Sequence, residues 1–178
     1  MKKIAMRAAA LLCCLCLLLG GASAAKLPTD GYEFPENWSR EALIFAVENG
    51  ILAGDENHDL KAESNITRAE MAAVLVRLLG ATEQGDLSAY TDVQKTDWFY
   101  TELAAAVGAG VFNGTSDTTM APNAPITREQ AAVVLCRAFG VVSADRESYK
   151  SFADGKKVSG YARDAVSAMK ESKLVNGY

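Results

Sequence analysis

From residue 38 onward, apolar positions recur at helical spacing in short blocks that alternate with polar stretches lacking any period. Leu43, Val47 and Ile51 line one side of the block Trp38 to Asn49, and Leu103, Val107 and Val111 do so for Trp98 to Ala109. Tyr161 to Lys173 carries the same pattern. A second kind of block opens at Thr67, where Met71, Val74, Leu75, Leu78 and Leu79 form a single stripe at 100° per residue. Residues 55–65 and 115–125 have no such period and predict loops. The pattern therefore predicts an all-α chain of helix-loop-helix units.

Helix ends are written in the same residues. Thr67 followed by Glu70, and Thr127 followed by Gln130, predict capping boxes, in which side chain and backbone satisfy each other's free N–H groups. Gly80 and Gly140 predict left-handed stops for these second helices, and Gly50 and Gly110 for the first ones. Lys173 stands at that glycine position in the third block, which predicts that its helix ends differently.

The blocks are copies of one another. Ile66 to Gly80 and Ile126 to Gly140 align without a gap, and eight of their fifteen residues are identical. A third copy begins at Phe152-Ala153-Asp154, which answers Tyr90-Thr91-Asp92, but the sequence stops at Tyr178 before a third Ile-Thr-Arg segment.

Arg68 is the most informative polar residue. It lies seven residues before Leu75, on the apolar side of its helix, whereas Arg77 falls on the polar side. A cation in the first helical turn is disfavoured by the helix dipole. An exposed helix N-terminus, however, favours an anion, to which a guanidinium adds paired hydrogen bonds. Arg128 repeats the position. Three readings follow for these arginines: a carboxylate or phosphate ligand, a structural ion pair with an acid of the next unit such as Asp92 or Asp154, or a simply solvent-facing arginine. Trp98 and Tyr161, which follow those acids by six and seven residues, suit stacking on a sugar face or burial in a core.

Composition narrows the chemistry. The net charge is −4, from 18 Lys and Arg against 22 Asp and Glu, and no basic block occurs beyond the first residues, which argues against a nucleic-acid partner. Those first residues read as an export signal: Lys2, Lys3 and Arg7, an apolar run from Ala8 to Leu19, and the small-x-small site Ala22-Ser23-Ala24. The run is too short for a stable membrane span. Removal of residues 1–24, with their three cations and no acid, leaves −7 and one cysteine, Cys136, so no internal disulfide is expected.

The same inventory leaves no metal, cofactor or catalytic centre to nominate. Asp55, Asn57 and Asp59 alternate as at the start of a calcium loop, but the twelfth position is Ile66. Glu36, Asp92 and Asp154 form no asymmetric pair for glycoside hydrolysis. Cys136 sits where the first copy has Val76, a core-like position, and His58 lies in a loop.

The pattern Phe/Tyr-x-Asp, an aromatic start to a helix, Gly-[Ile/Val]-x-x-Gly, a polar loop and Ile-Thr-Arg-x-[Glu/Gln] opening an Ala-rich helix resembles the S-layer homology domain. The resemblance covers residues 34–80, 90–140 and 152–178, behind a signal peptide (1–24) and a short leader (25–33). It implies tandem repeats in a pseudo-threefold helical arrangement with the third repeat incomplete. It also implies non-covalent anchoring to a secondary cell-wall polysaccharide, commonly pyruvylated, in grooves between repeats at the cell surface. On that resemblance the ligand residues are Arg68, Arg128, Asp92, Asp154, Trp98 and Tyr161, with Gly54 and Gly114 permitting close approach of the loops. A structural or protein-interaction module of the envelope is the alternative. This sequence departs from the pattern at Tyr161 (usually Trp), at Ala62 (Pro122 in the second copy) and at Gln130 (usually Glu). The missing third Ile-Thr-Arg helix suggests a truncated product and predicts exposure of Ala165, Val166, Met169 and Leu174, a surface for self-association.

Overall fold

The computed structural model describes residues 26–176; the predicted signal peptide and Cys13, Cys14 and Cys16 lie outside them, as do Ala25, Gly177 and Tyr178. The described residues are all-α, with five helices: α1 (Arg40–Glu48), α2 (Arg68–Leu79), α3 (Tyr100–Gly108), α4 (Arg128–Phe139) and α5 (Arg163–Glu171). Three 3-10 turns, Ser148–Ser151, Gly155–Lys157 and Gly160–Ala162, lead into α5. Among the described residues β pairing is confined to an isolated antiparallel bridge between Thr67 and Pro125.

Both capping boxes form. Glu70 N–H donates to Thr67 Oγ1 while Thr67 N–H donates to Glu70 Oε2 at 2.7 Å, and Thr127 and Gln130 repeat the exchange. Gly80 and Gly140 cap α2 and α4 in the left-handed conformation (φ 61° and 63°). α1, α3 and α5 instead begin without a side-chain cap. They also begin later than the apolar spacing suggests: Trp38, Trp98 and Tyr161 each lie two residues before the helix, in the turn that leads into it. The turn is already close to helical geometry, as Ser39 (φ −85°, ψ −10°) illustrates, so periodicity runs through it without a break.

These three helices share one C-terminal motif, and here an expectation fails. Gly50 N–H donates to Val47 O and Ile51 N–H to Ala46 O; Gly110 and Val111 repeat this on Val107 and Ala106. Lys173 does the same, donating to Lys170 O at 2.9 Å while Leu174 N–H reaches Met169 O, and it adopts φ 57° to do so. Burial of Met169, with Leu174 half-buried, holds the motif in place despite the left-handed strain on a lysine, which costs of order 1 kcal/mol.

The described residues divide into two compact units, one ending at Asn65 and the other beginning at Ile66. In the first, α1 buries Leu43, Ala46 and Val47, with Ile51 following, and Leu27 N–H closes onto Glu48 O. Tyr32 packs on His58 at 4.7 Å between ring centroids and donates to Ala53 O. The alternating acids of the loop cap their own turns: Asp55 Oδ1 accepts from Asn57 and Asp59 N–H, and these bonds hold its carboxyl below the usual range.

In the second unit the packing partners are α2 with α3 and α4 with α5. Each pair thus joins the second helix of one repeat to the first helix of the next. Ala69, Ala72, Leu75, Leu103 and Ala106 are sealed in one pair; Ala132, Cys136, Ala168 and Met169 are buried in the other. Burial pushes the Cys136 thiol up to about 11, which makes it an inert core group. Met169 is 2% exposed, and Ala165, Val166 and Leu174 are half-buried, so the exposed apolar face expected of the third repeat is largely covered by α4 and the Ser148–Ser151 turn.

The two pairs hold their linkers differently. Along α3, Gly85 N–H donates to Ala104 O, and a Cβ on Gly108 would collide with the Glu83 carbonyl. Along α5 the residue in the place of Gly108 is Glu171, whose carboxylate accepts from Ser143 Oγ and from Ala144 and Asp145 N–H.

Candidate functional site

The N-terminus of α2 is where three of the predicted residues, Arg68, Asp92 and Gly114, come together on one loop. Ile66 and Thr67 run antiparallel to Pro125 and Ile126, with Ile126 N–H on Ile66 O. The first two amides of α2 are then satisfied by the loop of the next repeat, Arg68 N–H by Ala124 O and Ala69 N–H by Pro122 O, both at 2.9 Å. The helix N-terminus expected to face an anion is therefore filled by backbone carbonyls.

Arg68 side-chain atoms complete this grip. The residue is 4% exposed; Nε donates to Met120 O and Nη2 to Asn113 O, each at 2.8 Å, and Cζ lies 5.0 Å from the Phe112 ring centroid. Burial pulls its basicity down, and the fields of Tyr161, Asp92 and Tyr90 oppose this. Nη1 has no hydrogen bond, yet no buried side-chain nitrogen or oxygen among the described residues lacks a partner, so this edge of the guanidinium opens to solvent.

Asp92 holds the same loop from the other side. Its carboxylate accepts from Met120 N–H at 2.9 Å and Ala121 N–H at 2.7 Å, fixing Ala121 at φ 53°. Arg68 and Asp92 thus form no direct ion pair; one binds the carbonyls of the loop, the other its amides. Gly114 is required by close approach: a Cβ there would strike Tyr90 and the carbonyls of Ser116 and Thr119. Gly54, in the other unit, adopts φ 68° against Asp59 O.

The aromatics are exposed rather than core. Trp98 is 61% exposed, edge-on to Phe99, and Tyr161 is 59% exposed. The Tyr161 hydroxyl donates to Glu129 Oε1 at 2.8 Å, and Ser159 N–H and Oγ bind the same carboxylate. Burial pushes Glu129 upward, but these bonds outweigh it and hold it below its usual range; Tyr161 is raised by burial and by Glu129. Glu129 escaped sequence reading because the first copy has Ala69 there, so no repeat signal marks it.

Arg128 and Asp154 stand apart. Arg128 is exposed, and among the described residues neither its guanidinium nor the Asp154 carboxylate has a hydrogen-bond or ion-pair partner. Among the described residues no group of His, Cys, Asp or Glu is placed to hold a metal, and no helix is long and apolar enough to cross a membrane.

Fold and site together define a helical repeat module. Residues 29–72, 89–132 and 151–178 match the S-layer homology domain family. The chain is 31% identical over 156 residues to the surface-layer 125 kDa protein of Lysinibacillus sphaericus, covering 88% of this chain and 13% of that protein. It is 27% identical over 148 residues to exoglucanase XynX of Acetivibrio thermocellus, covering 82% of the chain and 14% of the enzyme. It is also 36% identical over 95 residues to the surface layer protein of Brevibacillus choshinensis, covering 51% and 8%. The chain belongs to the S-layer homology domain family, a module of cell-surface and cell-wall proteins, and it spans a small fraction of the relatives it matches.

Proposed function

We propose that the protein is exported by its leader, residues 1–24, and attaches non-covalently to the cell wall by binding an anionic secondary polysaccharide, as a binding module without catalytic activity. The observation that carries this reading is the free Nη1 edge of a desolvated guanidinium at Arg68, beside the exposed ring of Tyr161. Burial strengthens the attraction of such a cation for a carboxylate, and with Nε and Nη2 held by Met120 and Asn113, Nη1 is the nitrogen left to donate to one. A pyruvyl ketal on a sugar would present that carboxylate next to a ring face suited to Tyr161 or Trp98. Asp92 and Gly114 shape the loop behind Arg68, and Asp154, Arg128 and Gly54 occupy the corresponding positions of the other copies.

Sedimentation with cell-wall sacculi tests the reading, before and after chemical removal of the secondary polymer. Binding that disappears with the polymer, and that weakens in Tyr161→Ala and Trp98→Ala, is the expected result. Equal binding to both preparations points instead to a protein partner in the envelope.

A further inference from the structure

Trp98 and Tyr161 hold the same place in successive repeats and are anchored in different ways. Trp98 packs edge-on against Phe99, and among the described residues its indole N–H has no acceptor. In the helix start that precedes Trp98 the second residue is Ala69, whose side chain offers no polar atom. In the helix start that precedes Tyr161 the same position is Glu129.

An acid in the first turn of a helix ordinarily serves the helix dipole or a free amide. Glu129 is instead turned off its own helix. Its Oε1 accepts from the Tyr161 hydroxyl and from Ser159 Oγ, both at 2.8 Å, and its Oε2 accepts from Ser159 N–H at 3.0 Å. All three donors belong to residues 159–161, the turn that leads into α5. The carboxylate therefore grips the ring at its tip and the backbone two residues before its root. A phenol tethered in this way has lost rotation about its side-chain bonds, yet more than half of the residue remains exposed. The ordering that a ligand would otherwise impose on the ring is already complete in the free protein.

The held ring also stands beside a cation. Tyr161 and Arg68 lie close enough for each to act on the other's charge, and Arg68 Nη1 opens to solvent. The Glu129 carboxylate bonds to neither Arg68 nor Arg128, so it steadies the ring without pairing with the cation beside it.

We propose that Glu129 is a positioning residue of the Arg68–Tyr161 site, holding the Tyr161 ring as a preset stacking platform for the sugar whose anion Arg68 receives. The proposal rests on the wall-binding reading above and adds to it the residue that sets the platform. Glu129 acts through the ring, because both of its oxygens already accept from the 159–161 turn. The two aromatics then differ in kind: Tyr161 is preset, whereas Trp98 is ordered by what binds it.

The test compares the affinity of the exported protein for sacculi that retain their secondary polymer with that of variants at the two positions. Tyr161→Phe keeps the ring and loses the tether, and Glu129→Ala removes the tether from the other end. Each should weaken binding about three- to tenfold, and the double variant no more than either alone, since all three break one linkage. Glu129→Gln, whose amide oxygen still accepts from the hydroxyl, should lose less than either. In ligand-free protein carrying 13C-labelled tyrosine, the order parameter of the Tyr161 ring should fall in Glu129→Ala while the circular dichroism spectrum stays unchanged. An exported protein that ignores the polymer overturns the wall-binding reading and this proposal with it. Polymer-dependent binding that Tyr161→Phe leaves at full strength, losses that add in the double variant, or a ring equally ordered without Glu129 overturns this proposal alone.

Discussion

Residues 68 and 128 occupy the same place in the same motif, open helices of the same length with the same cap, and have opposite surroundings. At α2 the next loop threads across the helix start, buries the arginine and takes its backbone amides. At α4 no such loop is present among the described residues, and the arginine stands in solvent. The cap is local and forms in both cases; the burial is not local and depends on a segment about fifty residues downstream. The Thr-Arg of this motif is therefore a receptor for a loop before it is anything else, and its guanidinium becomes a recessed, partly free cation only after the loop has arrived.

The largest expected effect separates the two arginines. Arg68→Ala leaves the carbonyls of Asn113 and Met120 without donors inside the unit and should lower unfolding free energy by about 3 kcal/mol, against less than about 0.5 kcal/mol for Arg128→Ala. Urea denaturation of both variants measures this directly, and equal losses would dissolve the distinction. Next come the acids: Asp92→Ala strands the buried Met120 amide and should cost about 2 kcal/mol, while Asp154→Ala should be nearly silent in the same assay.

A smaller effect has the opposite sign. Lys173→Gly removes left-handed strain while keeping the stop of α5, and should raise the stability of the second unit by about 0.5 to 1 kcal/mol, seen as a higher Tm. The linkers give the last contrast, one of pH. Hydrogen bonds from Ser143 and from the Ala144 amide hold the Glu171 carboxyl down at about 2. Its folded value lies below the unfolded one of about 4.3, so its stabilisation is complete above that value and fades as pH falls toward 2. The Tm difference between the protein and Glu171→Gln should therefore shrink across that window. The backbone tether at Gly85 has no titrating group and should survive it.

What the sequence made legible was whatever the chain states locally. Thr67, Glu70, Gly80 and Gly110 announce caps and stops because a cap is a matter of three or four neighbouring residues. The side of the helix on which Arg68 lies was equally readable, since a stripe is a local count. Its partners were not, because Asn113 and Met120 contribute carbonyls, which no residue type advertises. Lys173 misled for a related reason: the left-handed turn there is enforced by Leu174 and Met169 packing, and composition at one position could not reveal it. Met169 likewise looked exposed because its cover comes from a 3-10 turn, Ser148–Ser151, with no periodic signature.

Because α2 pairs with α3 and α4 with α5, the stretch that closes on itself physically begins at an Ile-Thr-Arg helix and ends in the loop of the following repeat. The period read from the sequence starts half a turn of the cycle earlier. A graft or deletion cut at the linkers near residues 81–89 or 141–151 would divide a packed pair, leaving one helix on each side of the seam. A cassette cut at Ile66 and Ile126 would carry its helix pair intact, and those two isoleucines are the natural joints for moving such a module between proteins.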